Sequence, residues 1–334
     1  MPMMKAMVAI ERGAPFQLQE RPVPEPGPGE VLLKVEACGV CRGDVATREA
    51  RHGMALPRVP GHEVVGTIAA FGSPSARFAA SQRVGVGWRG GYCLRCDACL
   101  SGNFRACRNG LTTGQDMDGG YAEYMVAHEA ALVAIPDGIA SAEVAPLLCA
   151  GRTTFSALKT GGAKPGELVA VQGIGGLGHL AIQYASRAGC RVAALSHGAG
   201  KEALARQLGA EIYIDTSAAD GAAQLKALGG AAVLFCTAPN AKEISKLVGG
   251  VRHGGRMAIV GSTDEPLEIP TRAFIGQNLT ISGAGNTTIE EALQVSLDRG
   301  VKPIIETFAL ADAVAGFDKM MNSTVKFRAV VTMN

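Results

Sequence analysis

The sequence predicts an α/β fold in two parts, a β-rich domain followed by a doubly wound parallel sheet. Three observations carry this. The chain has 334 residues, which on a soft prior of roughly 150 residues per domain suggests two domains. Its first third alternates short apolar strands with Pro/Gly turn chemistry. From near Ala145 the pattern changes to apolar strands separated by helix-like segments, the signature of βαβ units.

In chain order, Met4 to Ile10 and Val31 to Ala37 have strand character, joined by a Pro/Gly-rich connection from Arg21 to Glu30. Val64 to Ala70 and Arg83 to Val86 continue the β pattern. The second part opens with a strand at Leu168 to Gln172 and a helix through Ala188. A strand at Arg191 to Leu195 and a helix from Lys201 to Leu208 follow. Further strands are expected at Ala232 to Cys236 and Arg256 to Val260, then a helix at Glu290 to Arg299 and a closing strand at Ala329 to Met333.

Composition narrows the function. Apolar residues make up 47%, enough for substantial cores, and a net charge of +2 leaves no electrostatic footprint for nucleic acid. No apolar run approaches the roughly 18 residues of a membrane span. Met1 to Gly13 reads as a first strand rather than a signal peptide. Nine cysteines without a secretory segment favour metal ligation in a reducing, cytoplasmic setting.

Four of those cysteines crowd into Cys93-x2-Cys96-x2-Cys99-x7-Cys107, inside a Gly-, Arg- and Asn-rich loop over residues 91–108. Four thiolates complete a tetrahedral zinc site, and a loop without a core gains order from the ion. No ligand position stays open, so such a zinc is structural. The alternative is a set of buried or disulfide-paired cysteines.

Gly173-Ile-Gly175-Gly176-Leu177-Gly178 lies between a strand and a helix, the setting that the dinucleotide fingerprint requires. Gly173 permits the tight turn, Gly175 lets backbone approach a pyrophosphate, and Gly178 allows close helix–strand packing. Amides at the helix start then face the phosphates. The next strand ends in Ser196-His197-Gly198-Ala199-Gly200-Lys201 without a carboxylate. Ser196, Lys201 and a protonated His197 suit a 2′-phosphate, so NADP(H) is favoured over NAD(H). The plain alternative is that these residues only form a loop and helix cap.

Three scattered residues complete the pattern: Cys41 in Cys38-Gly-Val-Cys-Arg-Gly-Asp44, His62 in Pro60-Gly-His-Glu63, and Cys149 in Pro146-Leu-Leu-Cys-Ala-Gly-Arg-Thr153. Cys/His/Cys with a free fourth position is a known catalytic zinc arrangement. Taken singly, each residue has a bland reading as a small buried side chain.

With these motifs in this order, the chain resembles the zinc-containing alcohol dehydrogenases of the medium-chain dehydrogenase/reductase superfamily over essentially its whole length. The resemblance runs from the opening strand through the four-Cys lobe, Gly61-His62-Glu63 and the glycine turn to Phe327-Arg328-Ala-Val-Val331. It implies a GroES-like catalytic domain over 1–148 and 286–334, a Rossmann domain over 149–285, and a catalytic zinc in the cleft between them. It also implies two zinc ions per chain, NADP or NAD as cofactor, and a small alcohol or aldehyde substrate. A homodimer or homotetramer joined through edge strands of the Rossmann sheets is implied as well.

Carried over residue by residue, Cys41, His62 and Cys149 become catalytic zinc ligands. Glu63 stands behind the metal and Asp44 orients His62. The implied cofactor contacts are Arg42, Thr153, Gly173, Gly175, Gly176, Leu177, Gly178, Ser196, His197, Lys201, Thr237, Val260 and Arg328, with Arg42 and Arg328 at the pyrophosphate. Trp88, the sole tryptophan, is a candidate for the substrate pocket or for packing.

One departure stands out. Gly43 and Ala46 replace the hydroxyl residue and the histidine that commonly carry the substrate proton in this family, so water, the nicotinamide ribose and Glu63 are the expected substitutes. Cys38, Cys190 and Cys236 have no assigned role, and His52, His128, His179 and His253 read as surface or packing residues, with His179 near the phosphate turn. Two other readings stand beside the dehydrogenase: a zinc-free quinone or enone reductase on the same framework, and a non-enzymatic zinc-ribbon module.

Overall fold

Val31, Leu33, Val35 and Ala37 alternate inward along the strand Glu30–Gly39, the two-residue period of a strand with one buried face. This strand is central to a seven-stranded sheet. The order is Ile305–Ala309, Arg328–Thr332, Glu30–Gly39, Val64–Phe71, Arg83–Val86 and Leu132–Ala134, with Tyr124–His128 also paired to Glu30–Gly39. All pairs are antiparallel except Ile305–Ala309 with Arg328–Thr332. The inward faces meet Phe16, Tyr121, Met125 and Phe317 in one apolar core, where Phe16 packs edge-on against Phe317 at 5.1 Å.

This computed structural model describes residues 1–333 and separates two units, one of residues 1–149 with the chain from Pro303 onward, the other Ala150–Lys302. The second unit holds six parallel strands, in the order Ile212–Asp215, Arg191–Ser196, Leu168–Gln172, Ala231–Cys236, Val251–Ile259, Thr280–Ser282. That is the 3-2-1-4-5-6 order of a doubly wound dinucleotide fold. Leu168–Gln172 and Ala231–Cys236 are buried at every residue, as strands covered on both faces must be.

One expectation needs correction, and three elements went unread. The return to the first unit comes at Pro303, not at 286, because Ile289–Asp298 belongs with the second unit. There Arg152 Nε donates to Thr287 O at 2.7 Å, and Tyr184 and Ser296 hydroxyls bond at 2.5 Å. The strand Ile212–Asp215 escaped the sequence reading since it is only four residues long and mostly half-buried, too short for a periodic signal. Ile305–Ala309 and the helix Ala313–Met321 were likewise missed, the strand because its residues lie half-exposed rather than in a clear alternation.

Candidate active site and metal centres

Antiparallel register builds the main site. Cys38 pairs with Val64, so Cys41, just past one strand, and His62, just before its neighbour, leave the sheet at the same end. Gly39 N donates to Glu63 O at 2.9 Å and Val40 N to Ala329 O at 2.8 Å, which brings Arg328 alongside. An added Cβ at Gly39 would stand 1.9 Å from Glu63 Oε2, so only glycine lets Glu63 lie there. Cys149 follows the buried turn Ala145–Leu148. As a result one ligand atom each from Cys41, His62, Glu63 and Cys149 lies within 4.8 Å of the others.

His62 is held from behind. Its Nδ1 donates to Asp44 Oδ1 at 3.0 Å, both side chains 1% exposed. Asp44 also accepts from Cys41 N at 3.0 Å and from the Tyr121 hydroxyl at 2.9 Å. His62 Nε2, by contrast, is buried with no hydrogen-bond partner. An imidazole nitrogen in that state, facing two cysteines, costs free energy unless something accepts its lone pair. A divalent ion with soft ligands fits this donor set.

The protonation tendencies agree. A hydrogen bond with Cys149 holds the Cys41 thiol well below its ordinary value despite burial. The same bond and burial push Cys149 up. For His62, burial works against the charged form, but Asp44 and Cys41 outweigh it and raise the pKa. Burial raises Glu63 to about 7 against the opposing pull of Arg328. A metal ion inverts this local logic and leaves both sulfurs as thiolates.

Arg328, which the resemblance places at the pyrophosphate, pairs with Glu63 in this structure. Its Nη2 donates to both carboxylate oxygens at 2.5 and 2.6 Å, with side chains 7% and 0% exposed. Arg42 is exposed. Tyr121 is the functional residue that sequence reasoning missed. Its only signal was an aromatic after Gly119-Gly120, and burial with Asp44 beside it keeps its hydroxyl protonated.

The second cluster is built locally. Cys93 Sγ lies 3.5 Å from Cys107 Sγ and 4.0 Å from Cys99 Sγ, and all four thiols including Cys96 fall within 4.8 Å. Bonds of about 2.3 Å in a tetrahedron put sulfurs about 3.8 Å apart, whereas a disulfide requires about 2.05 Å. All nine cysteines are free.

In the second unit, Gly173 has φ +86°, a left-handed turn that favours glycine, and a Cβ on Gly178 would meet Gly173 O at 1.9 Å. Nothing lies within 4 Å of a Cβ at Gly175, an open cradle suited to a pyrophosphate. Thr237 Oγ1 donates to Gln172 O and Gly173 O, both 2.9 Å, bracing the turn from the neighbouring strand. Val260, just past Val251–Ile259, lines a pocket of about 330 Å³ with Ile244, Ser262 and Leu267. Thr153 is half-buried in the first turn of Ala150–Gly161.

His179 takes the packing alternative of its two readings, beside the phosphate turn. It is 0% exposed, and Nδ1 donates to Gly175 O at 2.9 Å, so it supports the turn from within the helix. The phosphate-pocket residues are also partly engaged. Lys201 Nζ donates to Ile174 O at 2.9 Å, and His197 Nδ1 pairs with Thr216 Oγ1 at 2.8 Å. A carboxylate absent from the second strand comes from the adjacent one: Asp215 pairs in register with Ser196 and accepts from Gly198 N at 2.8 Å.

Comparison with known proteins gives a consistent picture. The profile described as "Alcohol dehydrogenase GroES-like domain" matches residues 27–137, and that described as "Zinc-binding dehydrogenase" matches 176–299. The chain is 40% identical over 332 residues to alcohol dehydrogenase notN of Aspergillus sp. (strain MF297-2), covering 99% of this chain and 98% of that protein. A solved structure of an NAD-dependent alcohol dehydrogenase superimposes with a TM-score of 0.91 at 27% identity, over 99% of this chain and 100% of the other. A zinc-binding dehydrogenase from Sinorhizobium meliloti 1021 bound to NADP gives 0.88 at 27% identity, over 99% and 100%.

Proposed function

Since the chain belongs to the alcohol dehydrogenases of the medium-chain dehydrogenase/reductase superfamily, we propose that it interconverts an alcohol and its aldehyde or ketone with a zinc ion and a nicotinamide cofactor. The observation that supports zinc dependence is the convergence of Cys41, Cys149 and the partnerless His62 Nε2. When bound, zinc supplies Lewis acidity at a substrate oxygen, and the nicotinamide accepts or returns hydride.

The chain's own residues do the rest. Cys41 and Cys149 as thiolates balance a dication, and the neutral imidazole adds no charge. Asp44 fixes the His62 tautomer through Nδ1 and so keeps the Nε2 lone pair directed at the metal. Arg328 compensates the buried Glu63 carboxylate. Gly173, Gly175 and Gly178 leave space for the pyrophosphate, and the four-Cys lobe holds a second, structural zinc. With glycine at 43 and alanine at 46, no side-chain hydroxyl or imidazole stands at those positions to take the substrate proton, and Glu63, paired with Arg328, stays beside the site as a candidate carrier together with water.

We further propose NADP(H) as the favoured cofactor, on Ser196, His197 and Lys201. The NADP-bound relative supports this reading, and Asp215 is the feature that opposes it. The Thr280–Ser282 edge strand offers unpaired backbone groups for a homo-oligomer. No helix of the described residues is long and apolar enough to cross a membrane, in keeping with a cytoplasmic enzyme acting on small molecules. A spectrophotometric screen of alcohols and aldehydes, with NADPH and NADH in parallel and zinc content measured, tests the proposal. Turnover with near two zinc ions per chain is expected. Zinc-free turnover of enones points to the reductase reading, and NADH preferred more than about tenfold overturns the cofactor assignment.

A further inference from the structure

A side chain at Gly43 requires its neighbours to move. An added Cβ would stand 2.6 Å from Trp88 Cζ3, 2.8 Å from His62 Cε1 and 3.4 Å from His62 Nε2. The φ of Gly43 lies outside the left-handed region, so backbone conformation is no reason for glycine here; space is. The indole that fills the space meets the His62 ring edge-on, with centroids 4.7 Å apart and planes at 81°. His62 itself has little freedom to yield, because Asp44 holds its other nitrogen.

We propose that Gly43 and Trp88 form one paired element, in which the missing side chain at 43 is the seat of the indole, and the indole wedges the imidazole of His62 against Asp44. The chain has exchanged a polar group at position 43 for an aromatic edge that positions a ligand. Trp88 is therefore a positioning residue that acts through His62. Restoring a hydroxyl at 43 requires the indole or the imidazole to shift. A new side chain must displace either a half-buried indole or a buried imidazole, and overpacking of this kind is destabilising.

This pairing rests on packing and is independent of whether a metal binds. Its effect on metal affinity rests on the zinc reading above, and the two are separable by experiment. Trp88 is the only tryptophan of the chain, so its emission reports the pair directly in the protein as purified, without added cofactor. Gly43→Ala is expected to expel the indole and shift its emission to the red. An unchanged spectrum in a folded Gly43→Ala protein overturns the pairing.

Zinc affinity of the Cys41–His62–Cys149 centre, read by chelator competition, gives the second arm. Gly43→Ala is expected to weaken binding about tenfold, the scale for losing a residue that orients a ligand. In a Trp88→Ala background the same substitution is expected to change affinity less than about twofold. Equal losses in both backgrounds overturn the coupling. Should Gly43→Ala fail to fold, folding of Gly43→Ala/Trp88→Ala by circular dichroism supports the clash, and failure of both overturns it. A red shift with no zinc bound at this centre in any variant leaves the pair intact and refutes the metal reading instead.

Discussion

The two cysteine clusters answer opposite problems. The four-Cys lobe draws all its ligands from one short loop whose neighbours Leu94, Leu100 and Phe104 are 53%, 74% and 41% exposed, so it has almost no apolar burial to order it. The Cys41–His62–Cys149 centre is set in the end of a packed sheet. Its residues come from the ends of three strands, the loop at Tyr121 and a distant turn, and each supporting contact (Asp44, Tyr121, Arg328) is itself nine-tenths or more buried. On the proposed reading, one cluster gains its order from a metal. The other has a structure prepared for a metal, and a prepared site with one donor nitrogen left over is what chemistry requires.

That contrast is open to direct attack. The largest effect is expected at His62→Ala. It should lower kcat/KM by about a thousandfold, matching several kcal/mol of lost charge stabilisation, and reduce zinc from near two ions per chain to near one with circular dichroism unchanged. Retention of both zinc ions would show that the imidazole is not a ligand.

Cys96→Ser should reverse the pattern. One zinc is again lost, but Tm falls by about 5 °C or more, as a loss of a few kcal/mol implies for a domain of this size, while turnover per folded molecule stays within about threefold. If activity vanishes with Tm unchanged, the two clusters have been assigned the wrong way round.

The smallest effect belongs to Tyr121→Phe, which keeps the ring packed between Phe16 and the sheet and removes only the hydroxyl on Asp44. Zinc affinity at the buried centre should fall about tenfold, at the low end for a residue that supports a ligand's partner. The lobe's zinc should be unaffected. A loss shared by both centres would indicate general destabilisation.

How much of this was readable beforehand differs between the two regions for the same reason. The lobe is legible because its ligands are neighbours, and spacing alone carries them. The glycine turn is legible because Gly173 and Gly178 answer local backbone demands. Cys41, His62 and Cys149 became visible only through likeness to a family, since no spacing rule joins residues so far apart. Tyr121, the tie of Arg328 to Glu63 and the seat of Trp88 at Gly43 were not legible, because each is decided by strand register and the packing that follows from it. Asp215 shows the same limit: the second strand lacks a carboxylate in sequence, yet its neighbour in the sheet supplies one.

The Glu63–Arg328 pair joins residues 265 positions apart, while Cys93 and Cys107 lie only 14 apart. A nascent chain can therefore capture its first ion from a single short segment soon after that segment appears. The buried centre must wait for the strand carrying Arg328 to slot beside Glu30–Gly39, and until then Glu63 has no counter-charge. With both centres loaded as proposed, maturation should proceed in two metal-binding steps, the lobe's early and the buried centre's late, with the second step gated by sheet closure.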